Sequence, residues 1–339
     1  MKNNNICYAP VNDCGGFGGN WYWGHITPPP ISIANLQFAL FMGGSGTQFT
    51  SNGNNYISCN ITNLYNYAND SVAVEKNLIN YPFAEQASNG QWSNIGGITG
   101  ISNNQMAFLR ISNSSTGNSS TIFNYSTTTQ TSGSAFTYNS PSNLSAFQST
   151  SNQTTGIFFD CLYQQSELYV YSTNTLSIGP SLILTPAGNP SITWGNETLA
   201  MMYNLWRHYQ NTYSYANNTI SSISSFLGNN AANTVSVVGN STNAILSVSA
   251  FYTSTQNLTY PNSVLLYAYA NNTYTGMSNL TNASSSGAAA GNAQYGIVTI
   301  GNTTSKYFYA NNNVTTGSNL TTTFLYGCGV SNFNTGVNT

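Results

Sequence analysis

The chain has 339 residues, of which five are Lys or Arg and seven are Asp or Glu, for a formal net charge of −2. Charged side chains make up 4 % of it, against about 25 % in an ordinary soluble protein. Five basic residues cannot build a nucleic-acid patch, no window holds the 18 or more apolar residues of a spanning helix, and 13 % aromatic residues argue against a disordered chain.

Residues 1–30 read as an arm. The opening "MKNNNICYAPVNDCGG" has one Lys and then polar residues, without the apolar core of a signal peptide. In "CGGFGGNWYWGHITPPP" the glycines supply flexibility. Trp21, Tyr22 and Trp23 supply aromatic plugs for an assembly contact, and three prolines form a stiff spacer. No Lys-Ser/Thr follows the glycines, so they are not read as a phosphate loop.

From residue 31 onward short β-rich runs dominate, among them "ISIANLQFALFM", "MAFLRI", "SLILT" and "YGIVTI", separated by Asn, Gly, Ser and Pro. The expected fold is mainly β, with antiparallel β-sandwich or jelly-roll domains. One β domain is assigned to 31–156, ending in the Ser/Thr/Asn-rich surface segment 111–156, and a second to 157–339. "GIFFDCLYQQSELYVYS" reads as a hairpin.

The second domain is expected to carry one long α-helix over 197–227. Asn196 is placed to cap its start and Gly228 its end. Leu199, Met202, Trp206, Tyr209, Tyr213, Ala216, Ile220, Ile223 and Leu227 fall at alternating steps of three and four, a heptad pattern. Trp206, Tyr209 and Tyr213 are therefore candidate assembly contacts, although Tyr and Ala at core positions favour a helix lying across its own sheet.

Catalytic signals are weak. Asp160 and Glu167 flank the hairpin and can face each other, as two-carboxylate glycoside chemistry requires. His25 and His208 are the only histidines, and no G-x-S-x-G occurs. The Cys7–Cys14 spacing does not suit zinc. No catalytic residue, metal or cofactor is assigned. Five cysteines, Cys7, Cys14, Cys59, Cys161 and Cys328, leave at least one unpaired within the chain and allow one or two disulfides.

Acid exposure explains the missing charge. Carboxylates neutralise below about pH 4 while Lys, Arg and His stay charged, so an average chain would become strongly cationic and repel itself. This one reaches only about +8 from its five Lys/Arg, two His and amino terminus. Asn-X-Ser/Thr sequons occur at Asn60, Asn69, Asn113, Asn118, Asn124, Asn143, Asn152, Asn196, Asn217, Asn240, Asn257, Asn271, Asn279, Asn282, Asn302, Asn313 and Asn319, all candidates for N-linked glycan.

By composition the chain resembles surface glycoproteins of thermoacidophilic archaea and their viruses: capsid, turret and spike proteins and extracellular filament subunits. The resemblance implies a non-enzymatic virion structural protein, glycosylated, exposed on the particle or outside the cell, and assembled with copies of itself and other capsid proteins. An extracellular filament or surface-layer subunit using strand donation is the alternative. A secreted carbohydrate-active protein is the second alternative.

Overall fold

The computed structural model describes residues 37–44, 48–51, 54–58, 60–74, 77–79, 83–86, 92–93, 98–113, 117–137, 147–160, 164–183, 191–204, 210–223, 235–248, 251–252, 258–259, 264–277, 279–280, 288–322 and 324–332. Among them every regular element is a strand. Six four-stranded antiparallel sheets follow one another along the chain, and their innermost strands neighbour each other in a closed cycle. The fold is a six-bladed β-propeller.

Blade 2 runs outward through Ile98–Ser102, Met106–Asn113, Gly117–Asn124 and Thr129–Ser132. Blade 3 uses Phe147–Ser151, Thr155–Asp160, Gln165–Val170 and Thr175–Ile178, and blade 4 uses Ser191–Gly195, Leu199–Asn204, Gln210–Ser214 and Thr219–Ile223. Blade 5 has Val235–Gly239, Asn243–Val248, Val264–Ala268 and Thr273–Met277; blade 6 has Ala289–Gly291, Tyr295–Ile300, Thr303–Phe308 and Val314–Thr316. Blade 1 joins the two ends of the fold. Its innermost strand is Phe324–Ser331, paired with Phe38–Gly44, then Ile61–Asn66 and Ser71–Val74.

The jelly-roll expectation is corrected here, and so is the helix at 197–227. That stretch holds three strands of blade 4. Leu199–Asn204 pairs with Gln210–Ser214, which pairs with Thr219–Ile223. The apparent heptad arises because second strands are buried on both faces. Ala200 and Met202 pack toward blade 3, while Met201 and Tyr203 pack toward blade 5. A strand apolar on both sides matches a helical template at some positions. The Asn, Thr and Ser of its second half, poor helix formers, occupy a hairpin. The surface segment 111–156 contributes strands to blades 2 and 3.

Apolar burial divides among six seams, one between each pair of blades. Leu40, Met42, Leu109 and Val330 fill the seam between blades 1 and 2. Phe108, Phe158 and Tyr169 fill the next, and Phe41, Tyr65, Ala290 and Ile297 fill the closing seam between blades 6 and 1. Gly329, on the closing strand, faces the backbone of Ala289 so closely that no Cβ would fit.

Two uncharged hydrogen-bonding devices recur at the seams. Each first strand ends in an asparagine: Asn103, Asn152, Asn196, Asn240, Asn292 and Asn332, all buried. Asn196 Oδ1 accepts the N–H groups of Thr198 at 2.9 Å and Leu199 at 3.0 Å, fixing the turn into the second strand. Its Nδ2 donates to Ser241 O of the next blade at 3.2 Å. Asn103, Asn152 and Asn240 donate likewise to Gln153, Glu197 and Ala293 carbonyls. Along the inner wall, Ser149 Oγ donates to Gly100 O, Thr193 Oγ1 to Ser149 O, Ser102 Oγ to Ser331 O and Ser151 Oγ to Ser102 O, at 2.6–2.8 Å. These bonds occupy edge carbonyls that the innermost strands would otherwise leave bare.

A further repeated device sits at the same end of the ring. The third strand leads into a turn with the pattern Tyr-X-Tyr-X-X-Asn. The first hydroxyl donates to the turn asparagine in the pairs Tyr169–Asn174, Tyr213–Asn218, Tyr267–Asn272 and Tyr307–Asn312, at 2.8–3.1 Å. Those asparagines have φ of 52–57°, as do Asp70 at 56° and Thr128 at 50° in blades 1 and 2. Asn and Asp tolerate this region; Thr, being β-branched, is strained there. The second tyrosines, Tyr67, Tyr125, Tyr171, Tyr215, Tyr269 and Tyr309, reach into the seams, and Tyr269 Oη donates to Gly195 O of the preceding blade at 2.5 Å. Burial pushes all six hydroxyls well above the ordinary tyrosine value of 10.

Two outcomes follow from these seams. Asn196→Ala leaves two turn N–H groups and a neighbouring carbonyl unpaired and should cost about 2–4 kcal/mol in urea unfolding. Asn196→Asp keeps the turn acceptor but sets a carboxylate against Ser241 O. Its folded pKa is then raised, so its deficit should shrink as pH falls from 7 to 3. In alkali the same sign applies to the tyrosines: folded hydroxyls keep protons that unfolded ones release, so stability is full below about pH 10 and falls above it by about 1.4 kcal/mol per pH unit for each protected tyrosine. Tyrosinate absorbance and loss of near-UV circular dichroism should therefore rise together in one steep transition.

Candidate functional site

Arg110 interrupts the apolar strand Met106–Asn113. Residues two apart share a face of a strand, so Arg110 follows Phe108 into the seam between blades 2 and 3. On the other side of that seam, Phe158 stands opposite Glu167 in the ladder, and Asp160 stands opposite Gln165. Asp160 and Glu167 therefore share the face that carries Phe158 and Tyr169, as diagonal neighbours about 7–8 Å apart.

The three groups meet in a buried cluster. Arg110 Nη1 lies 3.6 Å from Glu167 Oε2, and both side chains are 2 % exposed. Asp160 is equally buried. The guanidinium lies 4.2 Å from the centroid of the Phe136 ring, in cation–π contact. Thr137 N–H donates to Glu167 Oε1 at 2.6 Å. Burial lowers the Arg110 guanidinium to about 10, with Glu167 and Asp160 pulling the other way. It stays cationic at neutral pH, between two carboxylates.

The cluster lies near the end of the ring opposite the asparagines. Second strands pass to third strands there, and fourth strands pass to the next blade. Two additions sit in those connections: a four-stranded sheet of Gln48–Ser51, Asn54–Ser58, Phe83–Gln86 and Trp92–Ser93, and a hairpin of Phe251–Tyr252 with Leu258–Thr259. The second ion pair among the described residues joins blades 6 and 1. Lys306 Nζ lies 2.8 Å from Asp70 Oδ2, and Ser318 hydrogen-bonds to Asp70 through both its N–H and its hydroxyl. Partly exposed, that pair is worth about 0–1 kcal/mol.

The hairpin reading of the sequence brings Asp160 and Glu167 together, and the structure does the same. Arg110 was missed because its partners come from another blade; a lone Arg inside "MAFLRI" was the available signal. Tyr213 is a seam residue, not a surface contact. Cys328 is buried without a disulfide, and burial pushes its thiol up to about 12. Among the described residues no group of three or more His, Cys, Asp and Glu could hold a metal. Residues 1–30 with Cys7, Cys14, Trp21, Tyr22, Trp23 and His25, and also Cys59, Cys161, Trp206, His208 and Tyr209, lie outside the described residues.

Sequons fall into distinct settings. Asn152, Asn196 and Asn240 are buried ring residues with Nδ2 already bonded. Asn69, Asn217, Asn271, Asn279, Asn302, Asn313 and Asn319 are exposed, and Asn60 and Asn124 are half-buried. Asn113 and Asn118 lie on strands of blade 2, whereas Asn143, Asn257 and Asn282 lie outside the described residues.

No protein-family profile and no curated protein matches the sequence. Solved structures do match the fold. YjhT is similar with a TM-score of 0.51 at 10 % identity, over 68 % of this chain and 86 % of that one. A chain of the nidogen/laminin complex is similar with a TM-score of 0.56 at 8 % identity, over 87 % of this chain and 98 % of that one. At such identities the likeness concerns the fold alone.

The expectation of a non-enzymatic virion subunit is corrected by these findings. It rests on a compositional resemblance together with the jelly-roll expectation, and the chain is instead a propeller like YjhT. Nothing in the described structure associates it with a capsid. The expectation of no enzymatic activity is corrected with it: it rests on scattered acids, whereas the propeller, a fold shared with YjhT, brings Asp160 and Glu167 into one buried cluster with Arg110.

Removing the cation should expose the cost of the acids. Arg110→Met leaves two buried carboxylates uncompensated and should destabilise by about 3–5 kcal/mol at pH 7. The loss is read from the urea midpoints of the two chains at pH 7.

Proposed function

We propose that the chain is a carbohydrate-directed propeller, working outside the cell in an acidic medium, with Arg110, Asp160 and Glu167 as its polar centre. One observation carries this reading. Asp160 and Glu167 share one strand face as diagonal ladder neighbours, a relation whose usual spacing of about 7–8 Å is compatible with the roughly 5–9.5 Å of two-carboxylate glycoside chemistry. They sit in an otherwise apolar seam, where burying charge costs several kcal/mol. Among the described residues no other seam buries an ion pair: the Lys306–Asp70 pair between blades 6 and 1 is partly exposed.

In this reading Glu167 and Asp160 divide the acid and base roles, and Arg110 holds them in place and tempers their repulsion. The amide, hydroxyl and aromatic surface suits a polyhydroxylated ligand, because such groups bond sugar hydroxyls and stack on sugar faces at any acidic pH. The secreted setting rests on the composition, which avoids groups that change charge in acid.

The test is a panel of aryl glycosides and immobilised glycans at pH 2–6, with Asp160→Asn and Glu167→Gln beside the parent chain. A hydrolysed or bound sugar whose signal falls by about 100-fold or more in either variant supports the reading. Activity or binding that survives both substitutions, with folding intact by circular dichroism, removes this cluster from the function.

A further inference from the structure

The fold sorts the sequons by chemistry. At the tips of the turns between third and fourth strands, Asn69, Asn217 and Asn271 occupy one repeated position in blades 1, 4 and 5. Each stands immediately before the residue of positive φ, namely Asp70, Asn218 and Asn272. All three are exposed. Asn69 Oδ1 accepts bonds from Ser71 N–H at 3.2 Å and Ser71 Oγ at 2.7 Å, and Asn271 Oδ1 accepts from Thr273 Oγ1 at 2.7 Å. In those two the sequon hydroxyl thus engages the amide oxygen of its own asparagine and leaves Nδ2 toward solvent.

Asn152, Asn196 and Asn240 carry the same three-residue signal and the same hydroxyl-to-Oδ1 bond, but they are buried and their Nδ2 is engaged. Their Nδ2 atoms donate across the seams to Glu197 O, Ser241 O and Ala293 O at 3.1–3.2 Å. A sugar on that nitrogen would take away a proton that the seam uses and insert a ring where the blades touch. A chain modified there before folding could not close its propeller.

We propose that Asn69, Asn217 and Asn271 are N-glycan attachment sites, and that Asn152, Asn196 and Asn240 stay bare in every folded molecule. The co-reactant is an activated glycosyl phosphate. Asn Nδ2 attacks the sugar C1, the N–C1 bond forms, and the C1–O bond to phosphate breaks. The phosphate leaves with the bonding electron pair, and the displaced amide proton passes to a base. The products place neutral, hydrated bulk around an uncharged rim. With a net charge of −2, the chain has little electrostatic repulsion to keep copies apart.

The experiment is glycopeptide mapping by mass spectrometry on protein purified from its natural source, together with Ser71→Ala, Thr219→Ala and Thr273→Ala chains expressed in that same source. Sugar on the tip peptides, with the three ring asparagines unmodified, is the expected result. Each substitution should then lower the intact mass by one glycan and leave the unfolding midpoint close to that of the enzymatically deglycosylated parent. Bare peptides at all three tips, or sugar on any ring asparagine, overturns the proposal. The outcome is independent of any hydrolytic or sugar-binding activity.

Discussion

A buried asparagine side chain at the end of each innermost strand is the constraint on which the ring depends. Its oxygen makes the turn into the second strand in blades 2 to 6 and accepts the Phe38 N–H in blade 1, and in blades 2 to 5 its nitrogen is bonded to the next blade. One residue thus performs a local task and a global one. Neither task involves a proton that titrates in acid. The inner-wall hydroxyls and the tyrosines that reach into the seams extend the same solution outward. A propeller has no single centre and coheres only as well as its weakest seam. Building seams from amides and hydroxyls gives each nearly the same strength over a wide acidic range.

Against that background the seam between blades 2 and 3 differs. It buries one cation and two acids, whereas the Lys306–Asp70 pair between blades 6 and 1 is partly exposed. Phe136 and Thr137, from the connection leaving blade 2, are tied to Arg110 and Glu167. Geometry there therefore depends on a segment that leads from one blade to the next. Such an exception inside a regular repeat is where special chemistry is expected.

The β content was legible from alternating and β-branched runs, and the Asp160–Glu167 relation followed from recognising one hairpin. The architecture did not follow, for two physical reasons. Second strands such as Leu199–Asn204 are buried on both faces, so their apolar residues run on without the alternation that marks a half-buried strand. They matched a helical stripe instead. Closure was hidden because blade 1 takes its innermost strand from the far end of the chain. A repeat was nevertheless present. "YNYAND", "FNYSTT", "YVYSTN", "YSYANN", "YAYANN" and "YFYANN" mark one turn in each of six blades, and a search for self-similarity would have signalled a propeller. Arg110 was unreadable as a partner of Asp160 and Glu167 until blades 2 and 3 were known to be neighbours.

The pairing of Phe324–Ser331 with Phe38–Gly44 also sets the order in which the molecule can be made. Loop closure over nearly the whole described chain must precede any gain from that contact, which makes it slow relative to hairpin formation within a blade. Five blades can form locally while the chain is still emerging. Until Phe324–Ser331 arrives, the apolar faces of Ala39, Phe41, Ala290 and Ile297 have no partner across the gap. The growing polypeptide is therefore an open arc with two sticky ends, and its period of greatest exposure to misassembly ends only when its last strand is in place.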